Sequence, residues 1–241
     1  MDFSQEQHQV WATLIARQTP NVRAHASKIY LRGADLLALP TDRIPALDDL
    51  NRVITPRTGW EVIRTEVRYS DAVPWYTQFA KRHFMVTDYM RGWDEMEFTP
   101  EPDMFHDIFG HLPFMTLPEY TALQDMFAPA FFAANDAQRE DIKRLAWYST
   151  EFGLIKEDGD MKIFGAGLIS SSGEIQNVVE RKVDIQPFTI ENVIGHEKAV
   201  WSFNDVLFWI ESIDALKAEL RRYFDPIINS QPAAAAQVTS L

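Results

Sequence analysis

The chain has 241 residues, 46% apolar and 12% aromatic, so it can bury a sizeable core and is not expected to be disordered. Its formal net charge of -12 would repel phosphate backbones, and we therefore expect no nucleic-acid partner. The sequence has no apolar run of about 18 residues and no signal-peptide pattern, which predicts no membrane span and a cytoplasmic location. Cysteine is absent, so any metal must be held by nitrogen and oxygen ligands.

The helical signals start near the N-terminus. Ser4 and Gln7 have capping-box spacing before an amphipathic stretch, which predicts a helix to about Gln18. A proline in the first turn favours another helix start at Pro74. Apolar residues at helical spacing predict further helices over residues 21–39 (interrupted near Gly33), 46–53, 118–134, 136–154, 171–180 and 212–223.

The strand signals are shorter. Partial alternation predicts strands over residues 60–67 and around 84–87, and Asp158-Gly159 between two apolar runs predicts a hairpin. The Gly165-Ala-Gly167 segment predicts a close backbone approach. Together, these helix and strand signals predict a single α+β domain over residues 1–229, mainly α with small antiparallel β elements. Residues 230–241 lack aromatic and charged side chains and are expected to form a flexible tail.

Two of the six histidines, His106 and His111, lie close together in sequence. Five residues on an α-helix leave them about 140° apart, so they can share one metal ion only if the helix loosens or the ion lies at its end. Gly110 permits such a departure, and Pro113 limits continuation of the helix. Asp103 and Asp107 flank the pair and could orient the imidazole N–H groups.

A third ligand is expected on another helix, and Glu151 is the best candidate because it is a charge inside an apolar stretch. Two histidines and one carboxylate leave three positions of an octahedral ion open, which suits Fe(II) enzymes that bind oxygen and a cosubstrate. The same ligands serve zinc hydrolases, with Asp107 as a possible general base. The residues alone leave both classes open, and a binding protein without catalysis ranks third because all three ligands are present.

The segment from Thr99 to Pro113, TPEPDMFHDIFGHLP, resembles the signature of the pterin-dependent aromatic amino acid hydroxylases, and the short bacterial phenylalanine 4-hydroxylases in particular. The resemblance spans roughly residues 5–225. Other segments match in the same order: HQVW from His8, DRIP from Asp42, TGW from Thr58, WYSTEFGL from Trp147 and GAGLISS from Gly165.

The resemblance implies a mononuclear Fe(II) held by His106, His111 and Glu151, with tetrahydrobiopterin or a related reduced pterin as electron donor and O2 as cosubstrate. It implies that Arg91 binds the carboxylate of a free aromatic amino acid and that Asp103 supports Arg91. It also assigns Thr99 and Ser170 to the amino acid end of the pocket, Trp147 and Phe152 to the substrate ring, and Trp75 and Asp107 to the pterin.

Three positions depart from the family pattern. Ala146 stands where many members have tyrosine, Met85 where bacterial members tend to have proline, and Ser172 where phenylalanine or proline is common. The expected reaction is phenylalanine to tyrosine, with hydroxylation at the meta carbon or of tryptophan as the alternative. The resemblance further implies that the regulatory domain and the tetramerising helix of animal members are missing, so a monomer is expected.

Overall fold

The computed structural model describes residues 3–68, 70–96, 101–199 and 202–230. Thr99, assigned above to the substrate pocket, lies outside the described residues, as do positions 231–241 of the expected tail. The mainly helical architecture with small strands is confirmed within these ranges. The helices are α1 (Gln5–His25), α2 (Lys28–Leu37), α3 (Leu47–Thr58), α4 (Ala72–Phe79), α5 (Leu112–Met115), α6 (Pro118–Gln124), α7 (Phe127–Ala133), α8 (Asp136–Ala146), α9 (Ala166–Ser170), α10 (Ser172–Val179), α11 (Ile190–Ile194) and α12 (Ile213–Asn229).

The first helix begins as the sequence predicts. Ser4 and Gln7 form the capping box, each side chain bonding the other's backbone N–H. The predicted break near Gly33 is wrong: α1 runs to His25, and the chain breaks at Ala26, after which Ser27 caps α2. Gly33 lies inside α2, where a Cβ atom would come within 2.0 Å of the Pro113 carbonyl oxygen, so glycine here allows α2 to pack closely on α5.

The two long helices predicted between residues 118 and 154 are each interrupted. The first is split between α6 and α7, which resumes at Phe127. The second starts with an Asn135 cap but gives way after Ala146 to a π-helical turn, Trp147–Glu151, and Leu154 already belongs to a strand. Apolar spacing alone did not reveal these changes, because buried turns and strands are apolar too.

The strands form two small sheets. β1 (Glu61–Thr65) pairs with β2 (His83–Thr87), and a second sheet has the order β4-β3-β6-β5 with β3 (Leu154–Glu157), β4 (Asp160–Ile163), β5 (Asp184–Pro187) and β6 (Val206–Ile210). The expected antiparallel pairing holds for the β3–β4 hairpin, which turns at Asp158 and Gly159, both with positive φ. The other three pairs are parallel. Parallel pairs need crossover connections, and α4 supplies the one between β1 and β2.

Aromatic rings dominate the core around the first π-helical turn. Phe105 and Phe109 stack with centroids 4.8 Å apart, Trp11 meets Phe105 edge-on, and Tyr30 donates its hydroxyl to the Phe109 carbonyl. These contacts anchor α1 and α2 on the segment that carries both candidate histidine ligands. Among the helices of the described ranges, none combines the length and apolar character needed to cross a membrane.

Candidate active site

Both segments that carry candidate metal ligands are π-helical. His106–His111 forms one such turn, and Trp147–Glu151 forms the other, with the Phe152 N–H bonding the Trp147 carbonyl five residues back. Hydrogen bonding from residue i to i+5 brings residues five apart onto the same face. The predicted loosening of the helix is therefore confirmed, and it extends from His106 to His111.

The three candidate ligands converge on one point. The Nε2 atoms of His106 and His111 are 3.2 Å apart, and Glu151 carboxylate oxygens lie 3.1 Å from His111 Nε2 and 3.6 Å from His106 Nε2. Ligands about 2.1 Å from a shared ion and at right angles to each other are about 3 Å apart, so this donor set fits one face of an octahedral metal site. His106, His111 and Glu151 are therefore positioned so that they could hold one metal ion.

Ser170 fixes the orientation of the His106 ring. Its Oγ atom lies 2.8 Å from His106 Nδ1 and 3.0 Å from the Ala166 carbonyl oxygen. Since a hydroxyl has a single proton, donation to the carbonyl leaves the oxygen to accept the Nδ1–H of the imidazole. His106 Nε2 is then unprotonated and faces the other two ligands, as metal binding requires.

The expectation that Asp103 and Asp107 orient the imidazole N–H groups is wrong. Asp103 accepts the backbone N–H of His106, and Asp107 accepts the backbone N–H of Thr87 at 2.8 Å. Both carboxylates thus hold the backbone around the site, and Ser170 makes the contact with the His106 ring.

Arg91 and Asp103 form a buried, two-pronged ion pair. Arg91 Nε and Nη2 donate to the two carboxylate oxygens at 2.7 and 2.8 Å, and Asp103 is fully buried. Such a pair fixes the plane of the guanidinium, and Nη1 takes no part in it. Asp103 therefore holds the Arg91 guanidinium in place, as the sequence predicts.

The ligands carry complementary charge. Burial, with His111 nearby, lowers the pKa of His106 to about 4. Burial also opposes charge on His111 and Glu151, but their mutual attraction outweighs it, raising the pKa of the His111 imidazole and lowering that of the Glu151 carboxyl. Burial raises the pKa of Asp107 to about 7. Metal binding would require His111 Nε2 to be unprotonated, because an imidazole binds a metal ion in its neutral form.

A cavity of about 420 Å³ opens beside the three ligands. That volume is sufficient for a small aromatic molecule beside a bicyclic cofactor. Asp103 lies behind Arg91 rather than on the surface of the cavity. The predicted residues that line it are Trp75, Arg91, His106, Asp107, His111, Trp147, Glu151, Phe152 and Ser170.

Aromatic side chains form two regions of the cavity wall. The rings of Trp147 and Phe152 contact each other with centroids 4.5 Å apart, and a Cβ at Gly167 would come within 2.5 Å of the Phe152 ring. Trp75 packs against Phe79 with centroids 4.8 Å apart and keeps part of its surface on the cavity. The close backbone approach predicted for the 165–167 segment is confirmed by Gly165, where a Cβ would lie 2.1 Å from the Glu151 carbonyl oxygen.

Two residues of the cavity region were missed by sequence reasoning. Glu174 lines the cavity although it is 4% exposed, and it accepts two hydrogen bonds from Asn204. Asn204 in turn accepts the indole N–H of Trp147 at 3.0 Å. Glu174 lies in the first turn of α10, where an acidic residue is common because it interacts favourably with the helix dipole. The sequence therefore gave no signal that this carboxylate lines the cavity.

Two imidazoles and one carboxylate that converge beside a cavity are the donor set typical of mononuclear metal enzymes of the two-histidine, one-carboxylate class. The chain belongs to the biopterin-dependent aromatic amino acid hydroxylases, whose family profile matches residues 1–233.

Relatives and solved structures agree with this family. A phenylalanine-4-hydroxylase of Mesorhizobium japonicum is 38% identical over 222 residues, covering 90% of this chain and 79% of the relative. The apo structure of the cold-active phenylalanine hydroxylase of Colwellia psychrerythraea superposes with a TM-score of 0.88 at 29% identity, covering 95% of this chain and 88% of that one. The phenylalanine hydroxylase of Chromobacterium violaceum with bound iron(III) and 7,8-dihydrobiopterin gives a TM-score of 0.85 at 28% identity, covering 95% and 85%.

Proposed function

We propose that this enzyme hydroxylates free L-phenylalanine at the para carbon to give L-tyrosine, using iron, a reduced pterin such as tetrahydrobiopterin, and O2. The observation that carries the proposal is the convergence of His106, His111 and Glu151 on a cavity that also contains Arg91 and an aromatic wall. The relative from Mesorhizobium japonicum, a phenylalanine-4-hydroxylase by name, supports the choice of substrate.

In this proposal His106, His111 and Glu151 hold the iron. The neutral His106 and the His111–Glu151 pair supply two nitrogens and one oxygen, which is a donor set suited to Fe(II). Iron and the reduced pterin, when bound, would together activate O2. The chain's own part is to keep both reactants beside the metal and to exclude bulk water.

The amino acid is held at its polar end by Arg91. Asp103 fixes the guanidinium plane through two hydrogen bonds and leaves the Nη1 side to meet the substrate carboxylate. Ser170, with its hydroxyl on His106, is assigned to the same end, together with Thr99 from the sequence pattern. Trp147 and Phe152 provide the apolar surface for the substrate ring.

The pterin is assigned to the wall formed by Trp75 and Asp107. Trp75 offers an indole face on which a bicyclic ring can stack. Asp107 lines the cavity and uses Oδ2 for the Thr87 N–H, so its other oxygen is the one assigned to the pterin, directly or through water. We further propose that the enzyme acts as a cytoplasmic monomer without a nucleic-acid partner, consistent with its charge of -12.

Product analysis tests this function. Iron-loaded protein is incubated with reduced pterin, O2 and, separately, phenylalanine, tyrosine or tryptophan, and the ortho, meta and para products are separated by chromatography. Para-tyrosine from phenylalanine, with pterin consumed in step, is the expected result. A meta product, or turnover of tryptophan alone, would overturn the assignment, and pterin-independent turnover with stoichiometric zinc would favour the hydrolase alternative.

A further inference from the structure

The indole of Trp147 is held by a short hydrogen-bond relay. Trp147 Nε1–H donates to Asn204 Oδ1 at 3.0 Å, and Asn204 Nδ2 donates to Glu174 Oε1 at 2.9 Å. The backbone N–H of Asn204 donates to the same Glu174 oxygen at 3.2 Å. Both Asn204 and Glu174 are 4% exposed, so water competes little for these bonds.

Glu174 decides which way the Asn204 amide points. A carboxylate only accepts hydrogen bonds, so the amide nitrogen of Asn204 must face Glu174 and the amide oxygen must face the indole. A leucine in place of Glu174 would remove this preference. A glutamine could preserve it, since its carbonyl oxygen can accept the same two hydrogen bonds.

The second oxygen of Glu174, Oε2, is buried and has no hydrogen-bond partner among the described residues. Burial raises the pKa of this carboxyl, with the Asn204 bonds opposing. An unpaired buried oxygen gives no stability in return for its desolvation, so the stabilising contacts of this side chain are those to Asn204.

The relay controls one wall of the catalytic cavity. Trp147 contacts Phe152, which directly follows Glu151 and packs closely against Gly167. The indole is tilted 37° from the Phe152 plane, and the hydrogen bond at its nitrogen restrains rotation away from that tilt. A rotated indole would change the space available to a ring placed between it and the metal ligands.

We propose that Asn204 and Glu174 are positioning residues that set the indole plane of Trp147, and thereby determine which ring carbon of the substrate faces the metal. The proposal rests on the function proposed above, because it assigns Trp147 to the substrate ring. In this assignment both residues act on the substrate through Trp147, although Glu174 also lines the cavity.

Four variants test the relay. Asn204→Leu removes its centre at similar volume, Glu174→Leu removes the anchor, Glu174→Gln keeps an acceptor, and Trp147→Phe removes the indole N–H. We expect the first two to raise the KM for phenylalanine about 3- to 10-fold, the loss typical of one hydrogen bond, with the pterin KM unchanged. The fraction of meta product and of pterin oxidised without hydroxylation should rise, and Glu174→Gln should stay close to wild type.

Coupling between the residues separates positioning from a general loss of stability. Asn204→Leu made in the Trp147→Phe background should change the product ratio no further, because the bond it breaks is already gone. Gln176→Ala, on the exposed face of the same helix α10, is the matched control, and urea unfolding reports the stability of each variant. Additive effects, or an unchanged product ratio in Asn204→Leu, would overturn the proposal.

A measurement without turnover keeps this test separate from that of the proposed function. The indole N–H signal of Trp147 is assigned by its loss in Trp147→Phe, and its hydrogen exchange is followed by NMR in the iron-free and iron-loaded enzyme. Protection should persist in wild type and Glu174→Gln and be lost in Asn204→Leu and Glu174→Leu. Equal protection in all of these would refute the relay, whereas protection without any phenylalanine product would refute the proposed function alone.

Discussion

Glu151 is the carboxylate of the candidate metal site. Its side chain is 24% exposed and lies 3.1 Å from His111 Nε2. It supplies the negative charge of the donor set and stabilises the charged form of His111. Without it, the site has two imidazoles and no anionic ligand, which is a poor set for Fe(II).

Glu151→Ala should therefore lose iron. After ferrous loading and desalting, we expect iron per chain to fall at least about tenfold, since an entire ligand is removed. Metal analysis by mass spectrometry gives the readout, with Glu180→Ala, an exposed residue at the end of α10, as the control. Wild-type iron content in the Glu151 variant would remove this residue from the metal site.

The position of Arg91 requires the shape of a guanidinium as well as its positive charge. Its Nε and Nη2 atoms bind both oxygens of Asp103, and a lysine ammonium cannot reproduce that fork. The residue also lies on the cavity surface, where a fixed guanidinium can meet a second carboxylate.

Arg91→Lys should raise the KM for phenylalanine by about tenfold or more, the cost of a lost charge-assisted hydrogen bond, while the pterin KM changes little. Steady-state kinetics with each substrate varied in turn measures both constants. Arg52→Lys, on an exposed arginine of α3, should leave both unchanged. An unaltered phenylalanine KM in Arg91→Lys would remove Arg91 from the substrate site.

At the scale of elements, two wide helical turns bring the three candidate metal ligands together. The turn over His106–His111 aligns two residues that an α-helix would separate, and the turn over Trp147–Glu151 ends at the third ligand. The neighbouring helices pack against these two turns and hold them in place. Two glycines show how closely they do so, because Gly33 allows α2 to approach Pro113 and Gly165 allows the start of α9 to approach Glu151.

Alanine at these two glycines should give separable effects. Each added Cβ would lie about 2 Å from a backbone carbonyl oxygen, so each variant should lose about 1–3 kcal/mol in the free energy of unfolding. Only Gly165→Ala pushes directly on the Glu151 backbone, so it should also weaken iron retention. Urea unfolding and metal analysis check the pair, and equal iron loss in both variants would show that the Glu151 contact has no special effect.

At the scale of the whole molecule, segments far apart in sequence meet around the three candidate ligands. Gln18 in α1 donates to the Ile169 carbonyl next to Ser170, and Ser170 holds the ring of His106. Strand β2 contributes Phe84, whose ring lies 5.0 Å from that of His111. The candidate site is therefore supported by contacts from α1, β2 and α9.

A monomer remains a prediction at this scale. Size-exclusion chromatography with light scattering should give a mass near 27.8 kDa over a range of protein concentrations. The high negative charge favours separate molecules through mutual repulsion, most strongly at low salt. A mass of twice that value, stable on dilution, would contradict the prediction.

The sequence by itself determined the starts of α1 and α8, the β3–β4 hairpin and the three candidate ligands. These features depend on neighbours a few residues apart or on a short motif. Tertiary structure decided the parallel strand pairs, the extent of the π-helical turns, the Ser170 contact with His106 across 64 residues and the Asn204 contact with Trp147 across 57. A local pattern shows which residues are apolar and which can cap a helix. Contacts between residues far apart in sequence depend on the packing of the whole chain, because buried polar groups find their hydrogen-bond partners only when the helices and strands come together.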